Sequence, residues 1–146
     1  MPPINWLSIL IAALIPMLVG FVWYNEKVFG TAWMNSIGLT KEDAKKANMP
    51  IMFGVSLVMS FLLSWYLLFN VDGFGQEGQY DTFKHGAFHG FLLGLLVATP
   101  VMITNGLFEM KKWKTMIINV GYWLTTMTLM GGVLDMMNHF PENLTI

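Results

Sequence analysis

Residues 51–69 read IMFGVSLVMSFLLSWYLLF, without one charged side chain. A helix crossing the hydrocarbon core of a bilayer needs roughly 20 consecutive, mostly apolar residues. This stretch is long enough, and Pro50 before it suits the first turn of a helix. Three further stretches have the same character: 4–24, an apolar run 87–107 inside a helix of about 85–108, and 116–137. No charge lies in the middle third of any of them. Pro141 follows the last as a stop signal. Pro16 and Pro100 fall inside the first and third stretches. They are expected to kink those helices and free carbonyls that neighbouring groups must satisfy.

Composition agrees with this reading. Of the 146 residues, 55% are hydrophobic and 12% charged, against about 25% charged in an ordinary soluble domain. There is too little charge to coat a surface facing water. The expected fold is all-α, a single membrane domain over residues 1–146, built as an integral membrane bundle of four transmembrane helices. The first span lacks the basic leader of a cleaved signal peptide and reads as a retained helix. All eight basic residues are Lys. With no Arg and no basic stripe, nucleic acid is not an expected partner. The absence of Cys removes disulfides, thiolate metal sites and Cys nucleophiles.

The lysines orient the chain. Lys27, Lys41, Lys45 and Lys46 follow the first span, and Lys111, Lys112 and Lys114 follow the third. Both groups fall on one side of a four-span chain, while the other side carries only Lys84. Positive residues mark the cytoplasmic side, so both termini are expected outside the cytoplasm. Trp6, Trp65 and Tyr66 suit one interface belt, and Trp23, Tyr24 and Trp113 the other. Between the first two spans, Phe29, Trp33 and Ile37 recur every four residues and predict a short interfacial helix. Thr40 with Asp43 resembles a capping box opening a second short helix over Lys41–Asn48. Val71–Tyr80, rich in Gly and acid, reads as a loop.

Membrane helices associate through small residues and interhelical hydrogen bonds, since apolar side chains gain little by leaving lipid for one another. The third span offers Gly86, Gly90, Gly94 and Ala98; the second offers Ser56, Ser60 and Ser64. In the fourth, Gly121, Thr125, Thr128, Gly132, Asp135 and His139 share one face. Packing is the simplest use of that stripe; a polar path between helices is the alternative. No ionisable group stands at the midplane, which argues against an ion-coupled transporter.

Two polar constellations remain. His85 and His89 open the third span, and Asp135 and His139 close the fourth, each pair four residues apart. Spacing of four puts each pair on one helix face, and the topology places both pairs at one membrane level. Three imidazoles and a carboxylate are a ligand set for a divalent metal such as zinc. An interfacial hydrogen-bond cluster, with His85 paired to Asp81 and Asp135 to His139, accounts for the same spacing. At the opposite level, Glu26, Asn105, Glu109, Asn119 and Tyr122 form a second polar group. Its two readings are cross-helix hydrogen bonding, with the acids paired to nearby lysines, and a site for a ligand or lipid headgroup.

One resemblance covers nearly the whole chain. It rests on Asn5-Trp6, Trp23-Tyr24, Phe29-Gly30, Trp33-Met34, Gly38-Leu39-Thr40, Asn105, Phe108-Glu109, Asn119, Tyr122-Trp123 and Gly131, in that order. The set resembles the small bacterial membrane proteins grouped as domain of unknown function 1761. The resemblance implies a four-helix protein of a bacterial inner membrane, and brings no activity, substrate or catalytic residue. Membrane lipids are the implied surroundings, with another copy or a larger membrane complex as the expected partner. Three roles follow: a structural or accessory protein, preferred on size and small-residue stripes; a ligand-binding or transport module along Ser56, Ser60, Ser64, Thr125 and Thr128; and a metal-dependent enzyme using the His/Asp cluster.

Overall fold

A computed structural model describes residues 4–71 and 80–138. The described residues form helices and no strand, in the order α1 (Trp6–Trp23), α2 (Gly30–Ile37), α3 (Lys41–Lys45), α4 (Met49–Val71), α5 (Phe83–Leu93), a π turn (Gly94–Ala98), α6 (Thr99–Phe108) and α7 (Trp113–Met137). α5, the π turn and α6 run on as one span, Phe83–Phe108. The four long helices have 18, 23, 26 and 25 residues and are apolar enough to cross a membrane. At 1.5 Å per residue they are about 27 to 39 Å long, matching a hydrocarbon core of about 30 Å. The fold is thus all-α, and its four spans fit a multi-pass membrane protein. Spans 2 and 4 start earlier than the apolar runs suggest, because helical hydrogen bonding continues through Met49 and Trp113 into the polar flanks.

The connecting segments follow their local chemistry. Phe29 precedes α2, and Gly38 ends it with φ of 71°, a left-handed conformation that glycine adopts without a Cβ clash. The α3 capping box is complete: the Thr40 hydroxyl accepts from the Asp43 amide at 3.1 Å, and the Asp43 carboxylate accepts from the Thr40 amide at 3.3 Å. α3 stops at Lys45, short of the expected Asn48. Most of the expected loop Val71–Tyr80, together with Pro141, lies outside the described residues; Val71 itself ends α4.

The two internal prolines are met differently. Pro100 has no N–H for the ladder, and the helix before it widens into the π turn. The Thr99 amide and hydroxyl both donate to the Gly94 carbonyl, the hydroxyl at 2.9 Å. α1 continues through Pro16, whose carbonyl accepts a hydrogen bond from the Tyr122 hydroxyl at 2.8 Å.

The buried apolar cluster is Ile9, Ala12, Ile15, Leu67, Leu68, Val71, Met127, Met130 and Leu134. All of these but Ile15, which stands at the middle of α1, lie in the halves of α1, α4 and α7 nearest the chain termini. At that end, the Asn5 side chain caps α1 and donates to the Met137 carbonyl at 2.9 Å. Asn138 donates to the Ser8 hydroxyl at 2.8 Å. α5 and α7 touch backbone to backbone. A Cβ on Gly86 would strike the Gly131 carbonyl oxygen, and one on Gly90 would strike that of Met127.

The line of closest approach on α7 therefore runs through Met127, Gly131 and Asp135. It is not the whole stripe expected from spacing: Gly121 faces the Trp23 ring, Gly132 faces Phe83, and Thr125 is exposed. Periodicity defines a face of a helix, whereas the neighbour covering it changes along the length of crossing helices.

The Lys-rich end is open by contrast. Every residue of α4 from Met49 to Met59 is exposed. Leu95, Leu96, Val97, Val101 and Leu107 on the third span are exposed as well. There α1 and α7 hold together, α2 packs against α7, and α6 meets α7 where a Cβ on Gly106 would strike the Met116 side chain.

Candidate functional site

The terminal end gathers three of the four His and Asp residues singled out by spacing. The α5 start is fixed by Thr82, whose hydroxyl accepts from the His85 amide at 3.3 Å. One turn on, His89 lies on the same face. Across the Gly86–Gly131 contact, α7 presents Asp135. His85 Nδ1 stands 3.0 Å from Asp135 Oδ2, and His85 Nε2 stands 3.1 Å from His89 Nε2. The result is a carboxylate–imidazole–imidazole chain. His85 pairs with Asp135, where the sequence suggested Asp81; the glycine contact brings the α7 carboxylate within direct reach.

Burial is graded along this chain. The Asp135 side chain is 3% exposed and that of His85 25%; His89 is also partly exposed. Tyr80 stacks on His85 at 5.5 Å between ring centroids, and Phe88 meets His89 edge-on at 6.0 Å. A buried carboxylate is costly without partners, and the His85 N–H offsets that cost. An ionised Asp135 accepts from His85 Nδ1–H, which leaves the His85 Nε2 lone pair pointing at His89. Two bare lone pairs would repel at 3.1 Å, so a cation or a proton lies between the rings. Among the described residues, no group of three His, Asp or Glu side chains is disposed to hold a metal ion. His139 lies outside the described residues.

The residues expected at the Lys-rich end divide. Asn119 and Tyr122 join a network between α1 and α7: Tyr24 donates to Asn119 Oδ1 at 3.0 Å, Tyr122 donates to the Pro16 carbonyl, and the two phenol rings lie 5.2 Å apart. Glu26 sits at the surface in an ion pair with Lys41 at 2.8 Å. That pairing, hydrogen bond first and charge second, holds the Lys41 ammonium above its usual pKa. Glu109 pairs with Lys111 beyond α6, and Asn105 is exposed. The α6 residues are thus apart from the α1–α7 network.

Several members of that network were not singled out as site residues. Trp23 and Tyr24 read as interface aromatics, yet the Trp23 indole donates to the Ile118 carbonyl at 3.1 Å. Both carry a polar tip that seeks a partner when half-buried, which is the signal available in sequence. The buried Thr115 hydroxyl donates to Ser36 at 2.7 Å; no spacing connects two residues so far apart. This arrangement does the work of a clamp, fastening α1 and α2 to α7.

Searches of curated proteins and of solved structures give no match. The model of a family described as "Protein of unknown function (DUF1761)" matches residues 7–135, which takes in all four spans and both polar clusters. The chain belongs to the DUF1761 family.

Proposed function

We propose that this chain is a structural or accessory protein of a bacterial inner membrane, with both termini outside the cytoplasm. It works by packing its spans against those of another copy or of a larger membrane complex. The observation that carries this reading is the open Lys-rich half of α4. From Met49 to Met59 every residue is exposed, and none is buried by the rest of the chain. Gly54 has nothing within 4 Å of where a Cβ would stand, and Ser56, two residues on and so on the opposite side of the helix, is exposed as well. Small residues on a bare helix let a second backbone approach closely, which is how membrane helices associate. A packed terminal half held by α1, α5 and α7 supplies the rigid frame from which α4 projects.

The alternative of a hydroxyl-lined path has less support. Ser56 and Thr125 are exposed, and Ser64 donates to the Ser60 carbonyl within its own helix at 2.8 Å. The proposal is tested by native mass spectrometry of the protein released from lipid nanodiscs. A discrete dimer or higher oligomer, or a stoichiometric co-purifying membrane protein, supports it. A monomer without any protein partner at all concentrations contradicts it.

A further inference from the structure

The two imidazoles on α5 are placed as ligands to one ion. Zinc–imidazole bonds are about 2.0–2.1 Å long. A pair of Nε2 atoms 3.1 Å apart is spanned by such bonds at an N–Zn–N angle of about 98°, between the octahedral and tetrahedral values. Histidines at i and i+4 on one helix face are a recurrent zinc pair. The His85 tautomer with its hydrogen on Nδ1 suits such an ion. The Asp135 carboxylate takes the His85 Nδ1 hydrogen at 3.0 Å, so the Nε2 lone pair points toward the proposed ion. A carboxylate behind a metal-binding histidine fixes its orientation and raises its basicity.

We infer that His85 and His89 form a two-imidazole site for a divalent transition-metal ion at the terminal end of the third span, with Asp135 as the positioning residue behind His85. Asp135 is therefore not a ligand: it is 3% exposed and already bound to the far nitrogen of His85. The site opens toward the terminal surface, since His85 and His89 are both partly exposed, and the remaining coordination positions are left to water or an external ligand. Imidazole pairs select zinc, nickel and copper over magnesium and calcium, which require oxygen donors. The inference stands apart from the oligomer reading, because the ligands sit on one helix of one chain.

The test is a calorimetric titration of tag-free, detergent-solubilised protein with Zn2+, and with Mg2+ as the counter-probe. The wild type is expected to take up one Zn2+ per chain and no Mg2+. His89→Ala is expected to weaken zinc binding at least tenfold, and Asp135→Asn by about 10- to 100-fold. If His89→Ala does not give a helical, monodisperse protein, His89→Gln carries the same expectation. X-ray absorption of the zinc-loaded wild type should show two imidazole nitrogens. A folded wild type that takes up no zinc, or zinc binding unchanged in a folded His89 variant, overturns the inference; a proton then occupies the space between the rings.

Discussion

The Asp135 carboxylate meets His85 Nδ1 at 3.0 Å, joining the end of α7 to the beginning of α5 beside the Gly86–Gly131 backbone contact. The bond replaces water at a carboxylate that is almost wholly buried. A hydrogen bond involving a charged group contributes about 1.5–3 kcal/mol, and losing one partner strands the other. Asp135→Ala removes the carboxylate outright. It is expected to lower the unfolding free energy by about 1.5–3 kcal/mol, measured by denaturant titration in mixed micelles. A change under about 0.5 kcal/mol, well below that range, would show that the bond is not an anchor.

The glycine contact beside it makes a separate prediction. Gly86→Leu must push α5 off the Gly131 carbonyl, and overpacking costs about 1–3 kcal/mol or more. Gly54→Leu, where nothing lies within 4 Å, should leave monomer stability unchanged or slightly raised, since Leu is the better helix former. Thermal unfolding of the two variants side by side checks this. Equal losses would mean that the α5–α7 approach is not a tight one.

At the Lys-rich end, Tyr122→Phe deletes the hydrogen bond to the Pro16 carbonyl and leaves the ring in place. Cross-helix hydrogen bonds in membrane proteins average about 0.6 kcal/mol, so a loss of that order is expected. Asn119→Leu removes the acceptor of the Tyr24 hydroxyl and should cost more, because a polar atom is left unpaired. Steric trapping or denaturant titration gives both values. A larger loss for Tyr122→Phe than for Asn119→Leu would contradict the clamp.

Much of the fold was legible because a bilayer imposes a simple rule: about 20 apolar residues make a span. Each of the four runs became a helix, and Thr40 with Asp43 capped α3 as expected. His85, His89 and Asp135 were legible too, since spacing and span count put them at one level. The pairing of Asp135 with His85 was not, because helix rotation is set by the Gly86–Gly131 contact, which periodicity does not reveal. The open half of α4 was hidden for a different reason. Lipid-facing and helix-facing residues are equally apolar, so Met49–Met59 reads the same whether covered or bare. Asn105 and Glu109 looked like partners of Asn119, but α6 carries them to an exposed surface.

The α3 cap gives a pH dependence outside the spans. Hydrogen bonds from the Thr40 hydroxyl, and next from its amide, hold the Asp43 carboxyl below its usual value of 3.8. A depressed folded pKa means that the stabilisation is present above the unfolded value and fades as pH falls through the folded one. NMR of the Lys41–Lys45 amides should show α3 fraying only below about pH 4, near the unfolded value for Asp. In Thr40→Ala the Asp43 titration should move up toward the ordinary value. An unmoved titration would remove the capping box as its cause.

The central claim concerns the bare half of α4, and the absence of Cys from the chain makes it directly testable. Ser56→Cys and Gly54→Cys each introduce a sole thiol on that segment, with Ser64→Cys in the buried half as control. Oxidative cross-linking is carried out in native membranes. The account predicts a specific adduct, either with a second copy or with one membrane protein, from the Ser56 variant, the Gly54 variant or both, since the two lie on opposite sides of the helix, and none from Ser64. If Ser56 and Gly54 form no adduct while remaining reactive to a lipid-soluble maleimide, α4 faces lipid alone and the proposed role is contradicted.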